Sequence, residues 1–465
     1  MNITGYLWLP LCVFYIFYMK FYSRYVIYTA GDLIQSANNH SPVFAPSNRS
    51  SSISSALFVE DFISVQKEES QKILEKRHCP SGRLSPYLTI LNQYALVNKS
   101  EPQIITTEPI PVIYFDTRVL WPKFEKSLPT TCPYRCIYTN RSEEATNASI
   151  AVFTRGPTSQ MATTFADALW AFDSDESPLR MPSVHQDYRQ RFSIFLTSHP
   201  SSTVPKPYGM YWANTQPECV MPANERARMR SHEDARRWLP PDMATKTRLV
   251  AWLVSNMYAV NQRKLFVAKL RRWVAVDIYG YRRLACPEPN CLEQLGKRYK
   301  FYLAIENSNC RAYITEKLFK NALRHNMVPI VMGGSPDDYF NLAPPNSYIH
   351  VDDFASPGHL AAYLRYLDRN DTAYASYFAW KGLGTIRKAP NTFCRLCALY
   401  HTTFRRSKPV HLGDFEVHLN PWNLCISPGR WPSDFASNRI SFTPFLLVLI
   451  LLSSCYSFVV SPLNL

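Results

Sequence analysis

Glu316 and Lys317 stand side by side at the end of ENSNCRAYITEK (306–317), where Leu318, Ala322 and Leu323 begin to recur at helical spacing. The spacing predicts a helix with Thr315 as its N-cap. Free backbone N–H groups and the helix dipole make such a start favourable for an anion such as a diphosphate. A lysine in a first turn works against that dipole, so Lys317 asks for a negative partner. The plainer alternative is a solvated lysine beside an ordinary first-turn carboxylate. Arg263 begins a second predicted helix, NQRKLFVAKLRRW (261–273), after the loop SNMYAVNQ (255–262). Two cations at two helix starts could clamp a bidentate phosphate group, against a surface salt bridge as the ordinary reading of Arg263. Asp173 and Asp175 in FDSDES (172–177) form a D-x-D that could hold Mg2+ or Mn2+ beside a nucleotide diphosphate. A solvated turn closing a predicted helix is the commoner meaning of such a pair. The chain has no G-x-G-x-x-G and no P-loop lysine motif, which removes the best support for dinucleotide redox chemistry or ATP hydrolysis.

The elements that must position these residues are strands alternating with helices. YKFYLAI (299–305) is aromatic and apolar, as a buried strand is, and MVPIVM (327–332) reads as another strand ending at Gly333 and Gly334. ENSNCRAYITEK is therefore the loop and helix start of a strand–helix–strand unit. In open parallel sheets, ligands bind beyond the carboxyl ends of the strands. LVAWLVS (249–255) and VAVDIYG (274–280) flank the Arg263 helix as strands. In the other half, regular structure is expected to begin at PVIYF (111–115). IAVFT (150–154), a helix over 161–172 and the strand FSIFLTS (192–198) follow, and the proline-rich, charged stretch 200–247 reads as a connection. The pattern is α/β: two Rossmann-like halves facing across a cleft, with one ligand on each.

The chain has 465 residues, 46% of them hydrophobic, and a formal net charge of +15. Basic clusters occur at ERARMR (225–230), Arg271-Arg272, Arg282-Arg283 and Arg405-Arg406. No zinc-finger or RNA-recognition pattern accompanies them, so the charge reads as a solvated basic surface with a few arginines for a phosphorylated ligand, not a nucleic-acid interface. GYLWLPLCVFYIFYM (5–19) reads as a signal-anchor, because it lacks an n-region charge and a small-residue cleavage site. Lys20 and Arg24 follow it, and the positive-inside rule would put that flank in the cytosol. FTPFLLVLILLSSCYSFVV (442–460) suits a second span or the removable tail of a GPI signal, with Ser433 or Ser437 nearby. Residues 31–60, rich in Ser, Asn and Pro, read as a stem. Sequons at Asn39, Asn48, Asn98, Asn140, Asn147 and Asn370, with ten cysteines between Cys12 and Cys455, point to an oxidising lumen. Cys394 and Cys397 form C-x-x-C, and Cys132 and Cys136 form C-x-x-x-C; disulfides are their commoner fate and a four-cysteine zinc site the alternative. The pairing of Cys79, Cys219, Cys286, Cys291, Cys310 and Cys425 stays open.

FYLAIENSNCRAYITEKLFKNALRHNMVPIVMGG (301–334) closely resembles the donor-binding motif of the alpha-1,3-fucosyltransferase family. YIHVDDF (348–354), YFAWK (377–381), FCRLC (393–397), LVAWLVSN with Arg263, and CIYTNRS (136–142) extend the resemblance over roughly residues 110–425. It implies a GT-B fold in a single-pass type II Golgi membrane protein with a luminal catalytic region, a precedent that outweighs the charge flanking the anchor. On this chain the divisions become anchor 1–30, stem 31–105, acceptor-side domain with connection 106–245, donor-binding domain 246–430 and hydrophobic tail 431–465. The implied reaction moves L-fucose, with inversion, from GDP-β-L-fucose to the 3-hydroxyl of N-acetylglucosamine in a glycan. Arg263 and Lys317 would hold the diphosphate, doing a metal's work. No resident cofactor or metal ligand is expected, and a cation such as Mn2+ would at most stimulate. Asn307, Tyr313 and Glu316 would contact nucleotide and sugar hydroxyls, with Glu316 also catalytic, near developing positive charge. The family's disulfides would join Cys132 and Cys136 to Cys394 and Cys397, in that order. Expected partners are GDP-fucose, an N-acetylglucosamine-containing acceptor and the Golgi membrane. A homo-oligomer is compatible, and glycans are expected on Asn48, Asn98, Asn140, Asn147 and Asn370.

The chain departs from the family on the acceptor side. In FLTSHPSST (195–203), His199 stands where the family's base glutamate is expected. A histidine of ordinary pKa, about 6.5, could take a proton in a mildly acidic lumen but cannot lend a carboxylate's negative charge. YWANTQPECVMPA (211–223) keeps little of the family's pattern, and Ala312 replaces an aspartate. The alternative function is a weak or inactive donor-binding relative, acting as a glycan-binding or regulatory membrane protein.

Overall fold

Short apolar runs spaced by helices become two parallel sheets in a computed structural model that describes residues 79–98, 108–118, 128–231, 233–280, 283–405, 415–426 and 429. The anchor, the terminal tail, the stem up to residue 78 and the sequons at Asn39 and Asn48 lie outside the described residues. No helix among the described residues is long and apolar enough to cross a membrane.

The first sheet comprises β1 (Val112–Phe115), β2 (Ile137–Thr139), β3 (Ile150–Phe153), β4 (Leu169–Ser174) and β5 (Phe192–Thr197), ordered β2-β1-β3-β4-β5 and parallel throughout. Both faces are covered, as parallel sheets require. Phe115, Val152 and Leu196 pack with Phe393 and Leu396 on one side, and Phe153, Phe172 and Phe192 with Phe165 and Phe415 on the other. The helix expected over 161–172 ends at Thr164, and Leu169 onward is β4. A short apolar run buried on both faces carries no period that separates strand from helix. The D-x-D therefore closes a strand, not a helix.

After β6 (Met210–Ala213), the second sheet takes β7 (Arg248–Leu253), β8 (Val276–Tyr279) and β9 (Tyr299–Ile305), then, past the short β10 (Asn309–Cys310), β11 (Val328–Met332) and β12 (Ile349–His350). Its order is β12-β11-β9-β7-β8, again all parallel. Every residue of YKFYLAI is buried. The chain steps from β7 to β8 on one side and then to β9 on the other, so the switch point lies between β7 and β9. Two doubly wound parallel sheets in one chain are the GT-B architecture that the resemblance implies.

Three stretches differ from expectation. Residues 79–98, assigned to the stem, carry a helix (Leu88–Val97) ahead of β1. The Cys79–Cys219 disulfide and hydrogen bonds from the Tyr87 hydroxyl to the Gly209 (3.2 Å) and Leu342 (2.9 Å) carbonyls fix it to the body. The connection 200–247 contributes β6, which pairs antiparallel with β13 (Gly384–Arg387). The chain then returns to the first sheet: the helix Thr392–Leu399 packs on it, with Cys132 bonded to Cys394 and Cys136 to Cys397. The zinc alternative falls, because those sulfurs are spent. Cys286 pairs with Cys291, and Cys310 with Cys425, where β14 (Cys425–Ile426) adds to β10.

Candidate active site

β9 delivers Glu306 to the switch point. Its backbone N–H donates to the Met332 carbonyl at 2.7 Å. Its fully buried carboxylate accepts from the Thr315 N–H (2.9 Å), the Thr315 hydroxyl (2.8 Å) and Lys317 Nζ (2.8 Å). Burial lifts the Glu306 carboxyl above its ordinary pKa, and Lys317 pulls against the rise. For Lys317, burial favours the neutral amine, but Glu306 and Glu316 outweigh it and raise its pKa. Gly333 makes this packing possible: at φ +143°, a Cβ there would lie 2.6 Å from the Glu306 Cβ.

This arrangement corrects the expected cap. The Thr315 side chain bonds Glu306 and caps nothing; Glu316 is the N-cap, without a side-chain cap hydrogen bond, of the π-helix Lys317–Ala322. Lys317 also meets the Thr315 hydroxyl at 2.8 Å and Glu316 at 3.2 Å. The negative partner that this lysine demanded is Glu306, first residue past the buried strand, which sequence reasoning did not single out. A glutamate directly after a mostly apolar strand was the available signal.

Arg263, first residue of the helix Arg263–Leu270 after β7, is only 4% exposed. Its Nη1 donates to the Ile305 carbonyl (2.7 Å) and its Nη2 to the Asn256 carbonyl (2.8 Å). Its Nε is buried with no partner among the described residues. Burial lowers its pKa, and the Glu306 field opposes that. Among the described residues no carboxylate forms an ion pair with it. A buried guanidinium held only by neutral carbonyls is costly unless an anion arrives. Asn261 braces the same corner, its amide donating to the Glu306 carbonyl (3.0 Å) and to Asn309 Oδ1 (2.9 Å).

The first sheet meets this corner through the segment after β4. The hydroxyl of buried Ser177 donates to that of Ser308 at 2.8 Å, and Tyr313 donates to Glu176 Oε2 at 3.3 Å. Arg180 donates to the Tyr258 carbonyl (3.0 Å), and Tyr208 to that of Asp175 (2.7 Å). Asn307 lies at the same place, its Oδ1 accepting from the Ser308 hydroxyl at 3.2 Å. Asp173 is buried and bonded to Lys206, which also reaches Asp175 at 2.9 Å. The expected solvated turn is thus an ion-pair cluster, in which Lys206 supplies the positive charge a divalent cation would. Burial raises the Asp173 pKa against the pull of Lys206. Only Cys136, Cys397 and His401 approach metal-ligand spacing among the described residues, and both sulfurs are in the disulfide.

His199 follows β5. Its Nδ1 accepts from the Ser201 N–H at 3.3 Å and lies 2.7 Å from the Ser201 hydroxyl. An acceptor at Nδ1 puts the proton of the neutral ring on Nε2, leaving no lone pair there for a substrate proton. Burial first, then His418 and Arg311, push its pKa down to about 4. His418 reaches the cluster from the helix Phe415–Leu419, its Nδ1 3.4 Å from the Ser201 hydroxyl. Ala312 holds φ +53°, a left-handed conformation that an aspartate would tolerate better than alanine. Asn98, Asn140 and Asn147 are exposed; Asn370 is partly so, and its Oδ1 caps the helix Asp371–Ala375 through the Ala373 N–H at 2.9 Å.

Residues 243–412, which hold Arg263, Glu306, Tyr313 and Lys317, match the family model "Glycosyltransferase family 10 (fucosyltransferase) C-term". This segment belongs to glycosyltransferase family 10. Among the relatives of the family 10 domain is glycoprotein 3-alpha-L-fucosyltransferase A of Drosophila melanogaster, 48% identical over 183 residues, 38% of this chain and 35% of that protein. Alpha-(1,3)-fucosyltransferase 4 of Bos taurus is 37% identical over 213 residues, 46% of this chain and 50% of that one. The human 4-galactosyl-N-acetylglucosaminide 3-alpha-L-fucosyltransferase FUT6 is 43% identical over 162 residues, 34% and 44% of the two chains. The chain thus spans about half or less of the length of these curated relatives. A crystal structure of an alpha1,3-fucosyltransferase aligns at TM-score 0.42 with 17% identity, covering 69% of this chain and 99% of that one. Within the family 10 domain, the buried arginine and the Glu306–Lys317 pair sit on successive turns of chain at one switch point.

Proposed function

We propose that this chain is a glycosyltransferase that moves L-fucose from GDP-β-L-fucose, with inversion, to the 3-hydroxyl of N-acetylglucosamine in a glycoprotein or glycolipid glycan. The observation that carries the reading is Arg263, a buried cation without a carboxylate beside the β7–β9 switch point. The diphosphate of the donor is the anion this corner lacks. Arg263 Nε–H and Lys317 Nζ donate to phosphate oxygens, and the charge that grows on GDP as the C1–O bond breaks falls on them. Lys317 can turn from half-exposed Glu316 to phosphate while keeping Glu306. Asn307 and Tyr313 orient the sugar from the loop and the motif, and Glu316 faces the positive charge that develops at C1. The printed names of the relatives, which specify glycoprotein or N-acetylglucosaminide acceptors, support this acceptor class. A Golgi membrane location with a luminal domain goes with it, supported by five disulfides among the described residues.

A second reading, a donor-binding relative without turnover, is favoured by one observation: the tautomer of His199 deprives the chain of a base at the expected position. Two measurements separate the readings. GDP titrated calorimetrically binds wild type, and Lys317→Ala or Arg263→Ala weakens it at least tenfold; undiminished GDP affinity in both variants overturns the clamp. Transfer from labelled GDP-fucose to N-acetyllactosamine, N,N′-diacetyllactosamine and chitobiose-core acceptors supports the enzyme; GDP-fucose binding with no labelled acceptor leaves the second reading.

A further inference from the structure

We infer that the exposed rings of Trp422 and Tyr258 form a platform for a saccharide ring of the acceptor glycan other than the N-acetylglucosamine that receives fucose. The inference rests on the fucosyltransferase reading and deepens it. Trp422 is 91% exposed and Tyr258 85%; the next large apolar side chain among the described residues, Trp273, is 58% exposed. Large aromatic rings are mostly buried, so the place where such exposed ones gather is informative. These two belong to segments that meet at one residue of the donor motif. Asn309 Oδ1 accepts from the amide of Asn261, three residues after Tyr258, at 2.9 Å. Asn309 also pairs in the β10–β14 ladder with Ile426, four residues after Trp422. Three or four residues of chain reach at most about 14 Å, so both rings stand near the corner that holds Arg263.

The segment that carries Trp422 joins the two halves. Before it, Phe415 packs with Phe172 and Phe192 on the first sheet, and the His418 ring stacks on Phe195 at 4.8 Å. After it, the Leu424 carbonyl accepts the Arg311 N–H at 2.7 Å, and Cys425 is bonded to Cys310. Trp422 thus stands on a strap between the acceptor-side and donor-side strands, at their carboxyl ends, where ligands of parallel sheets bind. The strap is held firmly. The Trp422 N–H donates to Asn420 Oδ1 at 2.8 Å, Asn420 Nδ2 donates to Glu416 at 2.6 Å, and Glu416 pairs with Arg189 at 3.0 Å. Tyr258 is held by Arg180, which donates to its carbonyl at 3.0 Å, and by Lys264 Nζ, 5.6 Å from its ring centroid. Rings ordered in advance lose little entropy on binding. Their faces are apolar and electron-rich, the complement of the C–H face of a pyranose. Exposed Asn423 and Asn256, one and two residues from the rings, supply neutral amides that suit sugar hydroxyls.

The test compares full-length wild type, Trp422→Ala and Tyr258→Ala in steady-state transfer, in GDP affinity, and in glycan binding by saturation-transfer NMR with GDP bound. Acceptors are taken in pairs: N-acetyllactosamine with a biantennary N-glycan ending in it, and chitobiose with the trimannosyl-chitobiose core. The account expects KM for the extended member of the transferring pair to rise at least fivefold in each variant. It expects kcat, GDP affinity and KM for the short member to stay within twofold of wild type. Retained GDP affinity also reports that the variants fold. An extended-acceptor KM within twofold of wild type in either variant overturns the inference. So does an equal rise for the short acceptor, and so does a shift from oligomer to monomer in sedimentation, which would assign the rings to a second copy of the chain. If wild type transfers fucose to no acceptor, the fucosyltransferase reading fails by itself. The platform then stands only if the extended glycans are saturated by wild type and not by the variants, and falls otherwise.

Discussion

His199 shows how a neighbour's hydrogen bond can override a residue type. Its folded pKa of about 4 lies below the ordinary histidine value, so the unfolded chain binds the extra proton between about pH 4 and 6.5. The stability it contributes is present above pH 6.5 and is lost as pH falls toward 4. Linkage puts the loss between pH 7.5 and pH 5 at about 2 kcal/mol. His199→Asn, which does not titrate, is expected to melt with a smaller drop between those two pH values than wild type does. An unchanged pH dependence would show that the ring is not desolvated. Arg263 makes the opposite point, since its charge is kept without a carboxylate. Arg263→Met, similar in volume and uncharged, is expected to bind GDP at least 30-fold more weakly by calorimetry, while losing little stability because it relieves a buried cation.

At the scale of elements, β9 and β11 build the site by bringing Glu306 and Gly333 into contact. Gly333→Ala would place a methyl 2.6 Å from Glu306 at a backbone conformation that L side chains rarely adopt. Strain and steric overlap together are expected to cost about 2–4 kcal/mol, seen as a lower melting temperature, and to weaken GDP binding by displacing Glu306 from Lys317. The buried strands were legible because aromatic and β-branched runs such as YKFYLAI have no other common use. β4 was not, because LWAF is too short to show a period and is buried on both faces. The cap was misread for a related reason: Thr315 has the right type and place for an N-cap, but Glu306, nine residues earlier, takes its hydroxyl. Residues near in sequence were read correctly where their partners were also near. The places of Arg263 and Lys317 at helix starts were legible, whereas the Glu306–Lys317, Glu176–Tyr313 and Ser177–Ser308 links depend on pairings across the fold.

At the scale of the molecule, the chain leaves the first sheet, builds the second and returns, and disulfides lock the return. Cys132–Cys394 and Cys136–Cys397 span 262 and 261 residues. In the chain-entropy limit, closing a loop of that length stabilises by roughly 5 kcal/mol for the first bond, and less for the second beside it. Cys394→Ser with Cys397→Ser is expected to lower the melting temperature markedly and to expose the helix Thr392–Leu399 to proteolysis, while the second sheet keeps its own core. No motif announces that return; FCRLC indicates pairing but not that its partners lie in the other half. The central claim is that the corner between β7 and β9 holds a GDP-sugar whose fucose is passed to a glycan. Incubation with labelled GDP-fucose and the three-acceptor panel, followed by NMR of the product, tests it most directly. The account predicts an α-linked fucose on O3 of N-acetylglucosamine. GDP-fucose bound at saturation, with every acceptor recovered unlabelled, would contradict it.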